Sequence, residues 1–565
     1  MSVDAIIVGS GPGGATAADI LTRAGWTVTI IEKGRNHLID PDDPSKLVQD
    51  YSNDEIKFMH RHFLGPDPLI EPRTFRISEE DGEHSYVGAV NSIPSTVGGG
   101  GTHADGKVPR FRPEDFRLHS TYGPIEGAAV ADWPVDYDEL EPYYAEVERL
   151  IGVAGTAGAN PFAAWRSGPY PMPSGAPMYG AVLSSAAAER EGLHPYPGPT
   201  AANSIPYDGR PACNNCGHCA YFGCPIHAKG DPVAMLQHAL GTGRAELLSE
   251  TFVSRIRTNG REASGVDVIG PDGVERSLGA RYVIVAGGAI ETPRLLLLSG
   301  IEHPLIGRHL MMHFQTMNVG IMPQRLHAHM GRSVTHLHDD CMLVDDDALD
   351  AARAAGLPWI RGGLVEHGGG GHPIMEGQFY PWGPSHKKLM EASPLRDRLW
   401  AFIMQGEDLP QPTNRVDLDP TVRDVWGFPA ARITFKPHRH ELVASAHHGP
   451  RHIRVLEDMG ATWTATTTSP LVEGATVRSP FATGHGDDAT NYGGPISAIP
   501  ASRHVMGTTR MGADPASSVV DRFGRLHDLP NVVVADSSVF VTSAGYGPTL
   551  TLVALAARAA ASLVG

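Results

Sequence analysis

The N-terminal residues carry a glycine pattern suited to binding a dinucleotide. Gly9, Gly11 and Gly14 follow a short apolar stretch and precede a run of small and apolar residues. The first glycine allows a tight turn, the second lets the backbone approach a pyrophosphate, and the third lets helix and strand pack closely. Glu32 ends the next apolar segment, where a carboxylate would accept a hydrogen bond from a ribose hydroxyl. The pattern predicts a dinucleotide cofactor without separating FAD from NAD.

Four of the five cysteines form a second group of residues that could carry chemistry. They are Cys213, Cys216, Cys219 and Cys224. Their spacing is one residue off that of a bacterial ferredoxin, which indicates an iron–sulfur cluster. Four thiolates would also bind zinc, and four cysteines can form two disulfides. Disulfides are disfavoured in a reducing cytoplasm.

The sequence contains 28 histidines, so composition alone selects no catalytic one. The formal net charge is −17 and no segment is rich in Lys and Arg, which argues against nucleic acid and anionic membrane surfaces as partners. No apolar run is long enough to span a bilayer. The first residues lack the features of a secretory signal, so we expect a cytoplasmic location.

Apolar runs and helical periodicity predict the elements that must position these groups. Strands are expected at 4–8, 26–31, 282–286 and 531–536, and helices at 15–24, 139–152, 291–299 and 549–563. Residues 153–211 are rich in Pro, Gly, Ala and Ser and are expected to form ordered loop. Because nucleotide-type elements occur at the start, middle and end of the chain, the domain that they form must be discontinuous.

Several longer segments resemble the glucose-methanol-choline (GMC) oxidoreductase family, in the order in which that family has them. They are residues 97–111, 282–300, 306–314, 414–419, 504–512 and 531–557. The resemblance implies FAD and an α/β fold, with a doubly wound, Rossmann-like FAD-binding domain and a sheet-based substrate-binding domain. We expect the FAD-binding domain to comprise 1–310, with loop insertions at 35–96 and 153–235, together with 500–565. The substrate-binding domain would comprise 311–499.

Residues 97–111 look most like the pyranose oxidase branch of the family, in which the matching histidine can be joined covalently to the flavin. His103 is therefore a candidate attachment point, although Ala104 stands where an aromatic residue usually follows. The resemblance also implies a set of further cofactor-binding residues. They are Gly99, Gly100, Thr102, Val253, Ala286, Asp536, Pro548 and Thr549.

His504 matches the segment that carries the family's catalytic histidine, so the resemblance implies that it is the base. An imidazole suits this task because its pKa lies near neutrality. The family has a second His or Asn directly before its Pro-Thr-Leu-Thr segment, but this chain has Gly547 there. Tyr546 and Ser543 are the nearest polar residues. Among His438 and His440, which follow an expected strand, we take His440 as the candidate substitute.

The resemblance implies oxidation of a secondary hydroxyl of a sugar or glycoside, at C2 or C3, with dioxygen as electron acceptor and hydrogen peroxide as product. A pyranose 2-oxidase or a bacterial glycoside 3-oxidase fits. The alternative is a dehydrogenase that passes electrons to a quinone or cytochrome, through an iron–sulfur cluster at the cysteines. Similar cysteine segments occur in family members not known to hold metal, so we prefer plain thiols and predict no metal ligands. A flavin protein without substrate oxidation and an NAD-dependent enzyme are the alternatives from other classes.

Overall fold

The computed structural model describes residues 3–48, 67–88, 90–91, 93–217, 219, 223–328, 330–332, 334–368, 383–392, 397–470, 499–500 and 502–565. The helices in these ranges are α1 (Pro12–Arg23), α2 (Gly99–His103), α3 (Leu118–Tyr122), α4 (Tyr137–Ile151), α5 (Tyr179–Arg190), α6 (Pro232–Gly241), α7 (Gly288–Leu298), α8 (Asp346–Ala354), α9 (Pro384–Ala392), α10 (Arg439–Asp458) and α11 (Thr549–Val564). The strands are β1 (Val3–Val8), β2 (Val28–Ile31), β3 (Arg73–Arg76), β4 (Tyr86–Gly88), β5 (Tyr196–Pro197), β6 (Ala245–Leu248), β7 (Phe252–Asn259), β8 (Glu262–Ile269), β9 (Glu275–Val285), β10 (Met311–Met312), β11 (Phe314–Ile321), β12 (Val334–His338), β13 (Gly363–Gly368), β14 (Leu399–Gly406), β15 (Arg415–Arg423), β16 (Pro429–Thr434), β17 (Trp463–Ser469), β18 (Val505–Met506) and β19 (Val532–Val534).

A seven-stranded sheet forms the centre of the FAD-binding domain. Its parallel part runs in the order β6-β2-β1-β9-β19, and β8 and β7 extend it as an antiparallel meander. The apolar strands β1 and β19 are almost fully buried at their centres, as expected for parallel strands covered on both faces. Helix α1 packs against α6 and α11. The α/β fold class, including a discontinuous FAD-binding domain, is confirmed.

A six-stranded antiparallel sheet forms the second layer, in the order β17-β11-β14-β13-β12-β5. Helices α5 and α10 pack on it around the buried Trp400 and Phe402. The expectation of loop throughout 153–211 is wrong at α5. Small residues let this helix lie close to the sheet, since a Cβ at Gly180 would lie 2.3 Å from the Trp400 ring.

Two smaller sheets complete the described strands. One of them has four strands in the order β15-β16-β3-β4. Because β3 and β4 belong to the segment 35–96, the expectation that this segment is a loop insertion is wrong there. The sequence does not indicate β3 as a strand because several of its residues are polar. These polar residues are nevertheless buried and hydrogen-bonded; Thr74 Oγ1, for example, donates to Asp419 at 2.8 Å. Residues 49–66, 89 and 92 of that segment lie outside the described ranges.

The other small sheet is the antiparallel pair β10–β18, in which Met312 lies opposite Val505. This pairing joins two distant parts of the chain and brings the residues next to each strand together. The division of the chain at 310 and 499 remains a prediction. None of the described helices has the length and apolar character that a membrane span requires.

Candidate active site

The glycine loop joins β1 to α1 in a conformation that requires glycine. Gly9 has φ +101°, and a Cβ there would lie 2.4 Å from the Ala286 carbonyl oxygen. A Cβ at Gly14 would lie 2.0 Å from the carbonyl oxygen of Gly9, whereas one at Gly11 would meet no atom within 4 Å. No side chain caps the N-terminus of α1, so its first amide groups remain available for a phosphate. The loop therefore fits a dinucleotide pyrophosphate.

Glu32 ties the glycine loop to its neighbours. Its Oε2 accepts hydrogen bonds from Ser10 N at 3.0 Å and Ser10 Oγ at 2.7 Å, and its Oε1 accepts one from Gly34 N at 2.8 Å. Ser10 Oγ in turn accepts from Gly98 N at 3.0 Å, which links the loop to the segment before α2. Each carboxylate oxygen has more than one lone pair, so the ribose contact of Glu32 remains a prediction.

The segment 97–103 packs directly on the glycine loop. A Cβ at Gly99 would lie 3.1 Å from Gly11 Cα. Thr102 Oγ1 is buried and has no hydrogen-bond partner, which suits a group that contacts the cofactor. Lys229 Nζ fixes the segment by donating to the carbonyl oxygens of Thr102 at 2.5 Å and Ala104 at 2.7 Å. His103 lies buried within α2, and its covalent link to the flavin remains a prediction.

The remaining predicted cofactor residues are spread over the surrounding elements. Asp536 Oδ2 accepts from Gly288 N at 2.9 Å and Thr292 Oγ1 at 2.6 Å, so it joins α7 to the C-terminal part of the chain. Val253 is buried in β7, Gly100 lies in α2, and Pro548 and Thr549 begin α11. Their contacts with FAD remain predictions.

A cavity opens between the glycine loop and the six-stranded sheet. Pro12 and Gly101 line it on the loop side, and Thr549 begins α11 at its wall. Its polar lining residues are Asp105, Lys107, Lys229, Asp231, Glu366, His504 and Thr549. The cavity therefore joins the predicted cofactor loop to the predicted base.

The β10–β18 pairing places His313 beside His504. Their Nδ1 atoms are 3.0 Å apart and the rings are almost perpendicular, while His313 Nε2 lies 3.3 Å from the carbonyl oxygen of Ser543. Burial lowers the pKa of His313 to about 4. Burial, His313 and Lys107 hold the pKa of His504 well below its usual value, so both rings are neutral near pH 7.

These contacts assign the protons on both rings. The Ser543 carbonyl can only accept, so His313 must carry its proton on Nε2 and present a lone pair on Nδ1. His504 then donates through Nδ1–H, which leaves its Nε2 unprotonated. A Cβ at Gly547 would lie 3.9 Å from that Nε2. The lone pair of His504 therefore faces the cavity at the position where the family has its second His or Asn.

Lys107 supplies a charge to the same cavity. Its Nζ forms ion pairs with Glu366 and, at 3.0 Å, with Asp105. Burial lowers the pKa of Lys107, but the two carboxylates more than offset this and the net shift is upward. The ammonium group stays protonated near pH 7, and one cation and two carboxylates face the space beside His504.

His440 is not brought to the lining of the described cavity. Its Nε2 accepts a hydrogen bond from Arg361 N at 3.1 Å, and its ring packs edge-on against Trp359. The polar neighbours of Gly547 are also engaged, since Tyr546 Oη donates to Asp339 and Ser543 Oγ donates to Glu407. We therefore do not retain these residues as substitutes for the missing partner. His313 was missed, although it lies in the family-like segment 306–314.

The four cysteines of the predicted cluster lie shortly before Lys229 in the sequence. Among the residues that the structure describes, no disulfide joins Cys213, Cys216, Cys219 or Cys224, and their sulfur atoms do not form a metal-binding group. Cys224 Sγ accepts from Ala228 N at 3.2 Å, directly before Lys229. An iron–sulfur cluster is therefore not supported, and the segment positions Lys229.

Comparison with models of known protein families shows which family the chain belongs to. Two family models described as GMC oxidoreductase match residues 199–315 and 410–556, and an FAD-binding domain model matches residues 2–46. The chain belongs to the GMC oxidoreductase family. It is a GMC-type FAD oxidoreductase that acts on CH–OH donors of the alcohol or sugar type.

Relatives of this GMC oxidoreductase include both dehydrogenases and oxidases. The 2-methyl-1,2-propanediol dehydrogenase of Mycolicibacterium austroafricanum is 29% identical over 98% of this chain and 94% of its own length. The C-glycoside 3-oxidase of Arthrobacter globiformis is 29% identical over 59% of this chain and 55% of its own length. The crystal structure of pyridoxine 4-oxidase from Mesorbium loti has a TM-score of 0.61 at 17% identity and covers 99% of this chain and 98% of its own, which shows the shared fold.

Proposed function

We propose that this protein oxidises a secondary hydroxyl of a sugar or glycoside, at C2 or C3, to a ketone, and that dioxygen is the electron acceptor and is reduced to hydrogen peroxide. The observation that carries the proposal is the position of His504, whose ring lines a cavity together with Lys107 and Glu366 and whose Nε2 would lie 3.9 Å from a Cβ at Gly547. FAD, when bound, supplies the acceptor for the hydride that leaves the carbon.

The hydroxyl proton moves to Nε2 of His504. The bond between His504 Nδ1–H and His313 Nδ1 holds the ring in the tautomer that can accept this proton. A positioned base of this kind contributes on the order of 10² to 10⁴ in rate. His313 acts only through His504, so we assign it as a positioning residue.

A sugar suits this cavity because its neighbouring hydroxyls both donate and accept hydrogen bonds. The Lys107 ammonium can donate to a substrate oxygen, and Asp105 and Glu366 can accept from substrate hydroxyls. The absence of a side chain at Gly547 leaves space beside the base for a ring substituent. Similarity to a C-glycoside 3-oxidase supports oxidation at C3.

A dehydrogenase that reduces a quinone or cytochrome is the second candidate. Similarity to 2-methyl-1,2-propanediol dehydrogenase along almost the whole chain favours it. The chemistry at His504 is the same in both cases, since the two enzymes differ only in what takes the electrons from the reduced flavin.

The test is anaerobic mixing of the purified flavoprotein with free sugars, O- and C-glycosides and 2-methyl-1,2-propanediol, followed by flavin absorbance. We expect bleaching by at least one sugar or glycoside, and NMR of the product should show a ketone at C2 or C3. Bleaching by the diol alone would contradict the sugar assignment. Readmission of air with stoichiometric peroxide identifies an oxidase, whereas slow reoxidation identifies a dehydrogenase. Flavin that stays with the acid-precipitated protein would support the link at His103.

A further inference from the structure

A cluster of buried imidazoles and a thiol lies where the end of β12 meets α10. His338 Nε2 is 3.1 Å from His452 Nε2, and Cys341 Sγ is 3.8 Å from the same His452 nitrogen. The three atoms lie within 4.8 Å of one another, and all three side chains are at most 2% exposed. The oxidation proposed above uses none of these groups.

The distances match those between ligands of one metal ion. Zinc binds imidazole nitrogen at about 2.0–2.1 Å and thiolate sulfur at about 2.3 Å, so tetrahedral ligands stand about 3.3 Å (N–N) and about 3.6 Å (N–S) apart. The observed separations of 3.1 Å and 3.8 Å differ from these by about 0.2 Å.

The other ring nitrogen of His338 takes part in a chain of hydrogen bonds that would orient the ring as a metal ligand. His338 Nδ1 lies 2.8 Å from His367 Nε2, and His367 Nδ1 lies 3.0 Å from Ser184 Oγ. If Nε2 of His338 binds a metal, its Nδ1–H donates to His367, and Nδ1–H of His367 donates to Ser184. Each nitrogen then has one consistent role, as in metal sites whose histidines are oriented by a second hydrogen bond.

A further imidazole stands one helical turn before His452 on α10. His448 has a buried Nε2 without a hydrogen-bond partner. A Cβ at Gly362 would lie 2.7 Å from the carbonyl oxygen of Cys341 and 2.8 Å from Cδ2 of His448, so this ring lies next to the Cys341 backbone. Its ring nitrogens lie outside the group formed by His338, Cys341 and His452, so His448 is not counted among the ligands.

We propose that His338, Cys341 and His452 form a buried site for one transition-metal ion of the kind that binds thiolate and imidazole together, zinc or copper. On binding, the metal–sulfur bond forms as the Cys341 S–H bond breaks, and the proton leaves to solvent during folding. No electron transfer is required.

The site would connect segments that are distant in the sequence. His338 ends β12, Cys341 follows it, and His452 belongs to the helix that covers the sheet. Asp339, next to His338, accepts hydrogen bonds from Tyr546 at 2.6 Å and Tyr196 at 2.7 Å, and Tyr546 directly precedes Gly547 in the cavity wall. The ion would therefore stabilise the support behind the active site without touching substrate.

The experiment is elemental analysis of the purified flavoprotein produced in medium supplemented with zinc and copper. We expect about one equivalent of zinc or copper per chain, and the element found distinguishes the two. Cys341→Ser and His452→Gln should lower this to below about 0.1 equivalent, whereas the control Cys213→Ser should retain it. Less than about 0.1 equivalent of both metals in the wild-type protein, or full retention in Cys341→Ser, would overturn the proposal.

X-ray absorption of the wild-type protein gives a test that does not depend on whether a variant folds. We expect one sulfur at about 2.3 Å and at least two nitrogens at about 2.0–2.1 Å from the metal. A shell of nitrogen and oxygen alone, or of several sulfurs as in a Cys213–Cys224 site, would refute the assignment. Both measurements are independent of the substrate, so they remain decisive if the sugar assignment fails.

Discussion

Replacing His504 by alanine should slow substrate oxidation without displacing the flavin. The substitution removes the only unprotonated ring nitrogen that the structure places at Gly547. Lys107 cannot take over as base because its ammonium group is held protonated by Asp105 and Glu366. His313 does not replace it either, because its unprotonated Nδ1 lies 3.0 Å from Nδ1 of His504 and not at the position of His504 Nε2 beside Gly547.

The rate of flavin reduction should therefore fall by the full contribution of a general base. A factor of 10² to 10⁴ in the rate of flavin reduction corresponds to about 2.7–5.5 kcal/mol of activation free energy. The ground state loses only one hydrogen bond between the substrate hydroxyl and Nε2, worth about 1 kcal/mol, so Kd should rise about fivefold. The rate of the variant should increase with pH, because hydroxide in solution must take the proton.

The assay is anaerobic stopped-flow reduction of the flavin by the best substrate from the sugar panel, over a range of concentrations. His194→Ala is the matched control, since His194 is an exposed histidine that pairs with Asp340. Flavin content and Tm should match the wild-type protein in both variants. A His504→Ala variant that is reduced within about fivefold of the wild-type rate would refute the assignment of the base.

Three further predictions concern the groups around His504. His313→Leu removes the acceptor for His504 Nδ1–H and should slow flavin reduction about tenfold or more, while His313→Asn retains an acceptor and should slow it less; equal rates would exclude the positioning role. The His313 pKa of about 4 lies below the unfolded value of about 6.5, so the unfolded chain takes up the proton first and stability falls as pH drops below 6.5. Between pH 7 and pH 5 the wild-type protein should lose about 2 kcal/mol more than His313→Asn in urea denaturation; identical losses would contradict the depressed pKa. Gly547→Ala adds a methyl at ordinary contact distance from His504, so its Tm should stay within about 2 °C of wild type while substrate reduction slows. Gly545→Ala, at φ +64° and with its Cβ 2.9 Å from Gly363 Cα, should lower Tm by several degrees; the reverse order of Tm would be inconsistent with the backbone described here.

The strands and the loop around the cofactor site were predictable because their residues are almost all apolar or glycine. The centre of β1 and the whole of β19 are apolar and buried, and Gly9 and Gly14 lie so close to backbone atoms that neither position could hold a side chain. Local sequence therefore carries enough information for this half of the fold.

The strand β3 was not predictable because its burial depends on partners that are distant in sequence. Thr74 bonds Asp419, and Arg73 Nη1 donates to the carbonyl oxygens of Val90 and Asn91 at 3.2 Å and 2.9 Å. Taken alone, such residues indicate an exposed loop. Helix α5 was hidden for a different reason, since its alanines and serines resemble the loop residues on either side.

The residue that faces His504 could not be deduced from composition or local pattern. The contact between His313 and His504 arises from the β10–β18 pairing across about 190 residues of chain, in strands of only two residues each. The match of residues 306–314 to the family was the available signal, and a histidine at its end could have been read as a second site residue. His440 was chosen instead because it follows an expected strand, but α10 turns its ring toward Arg361.

The order of strands in the parallel sheet has a consequence for synthesis of the protein. β1 is synthesised some 270 residues before its neighbour β9, and β19, which also pairs with β9, begins only at residue 532. The residues of β9 that pair with β19 therefore lack this partner until β19 has been synthesised, and helix α11, which packs against α1, is synthesised after β19. A ribosome that stalls before residue 532 holds a nascent chain whose nucleotide-binding layer is open, with an apolar strand edge exposed to chaperones and to other chains.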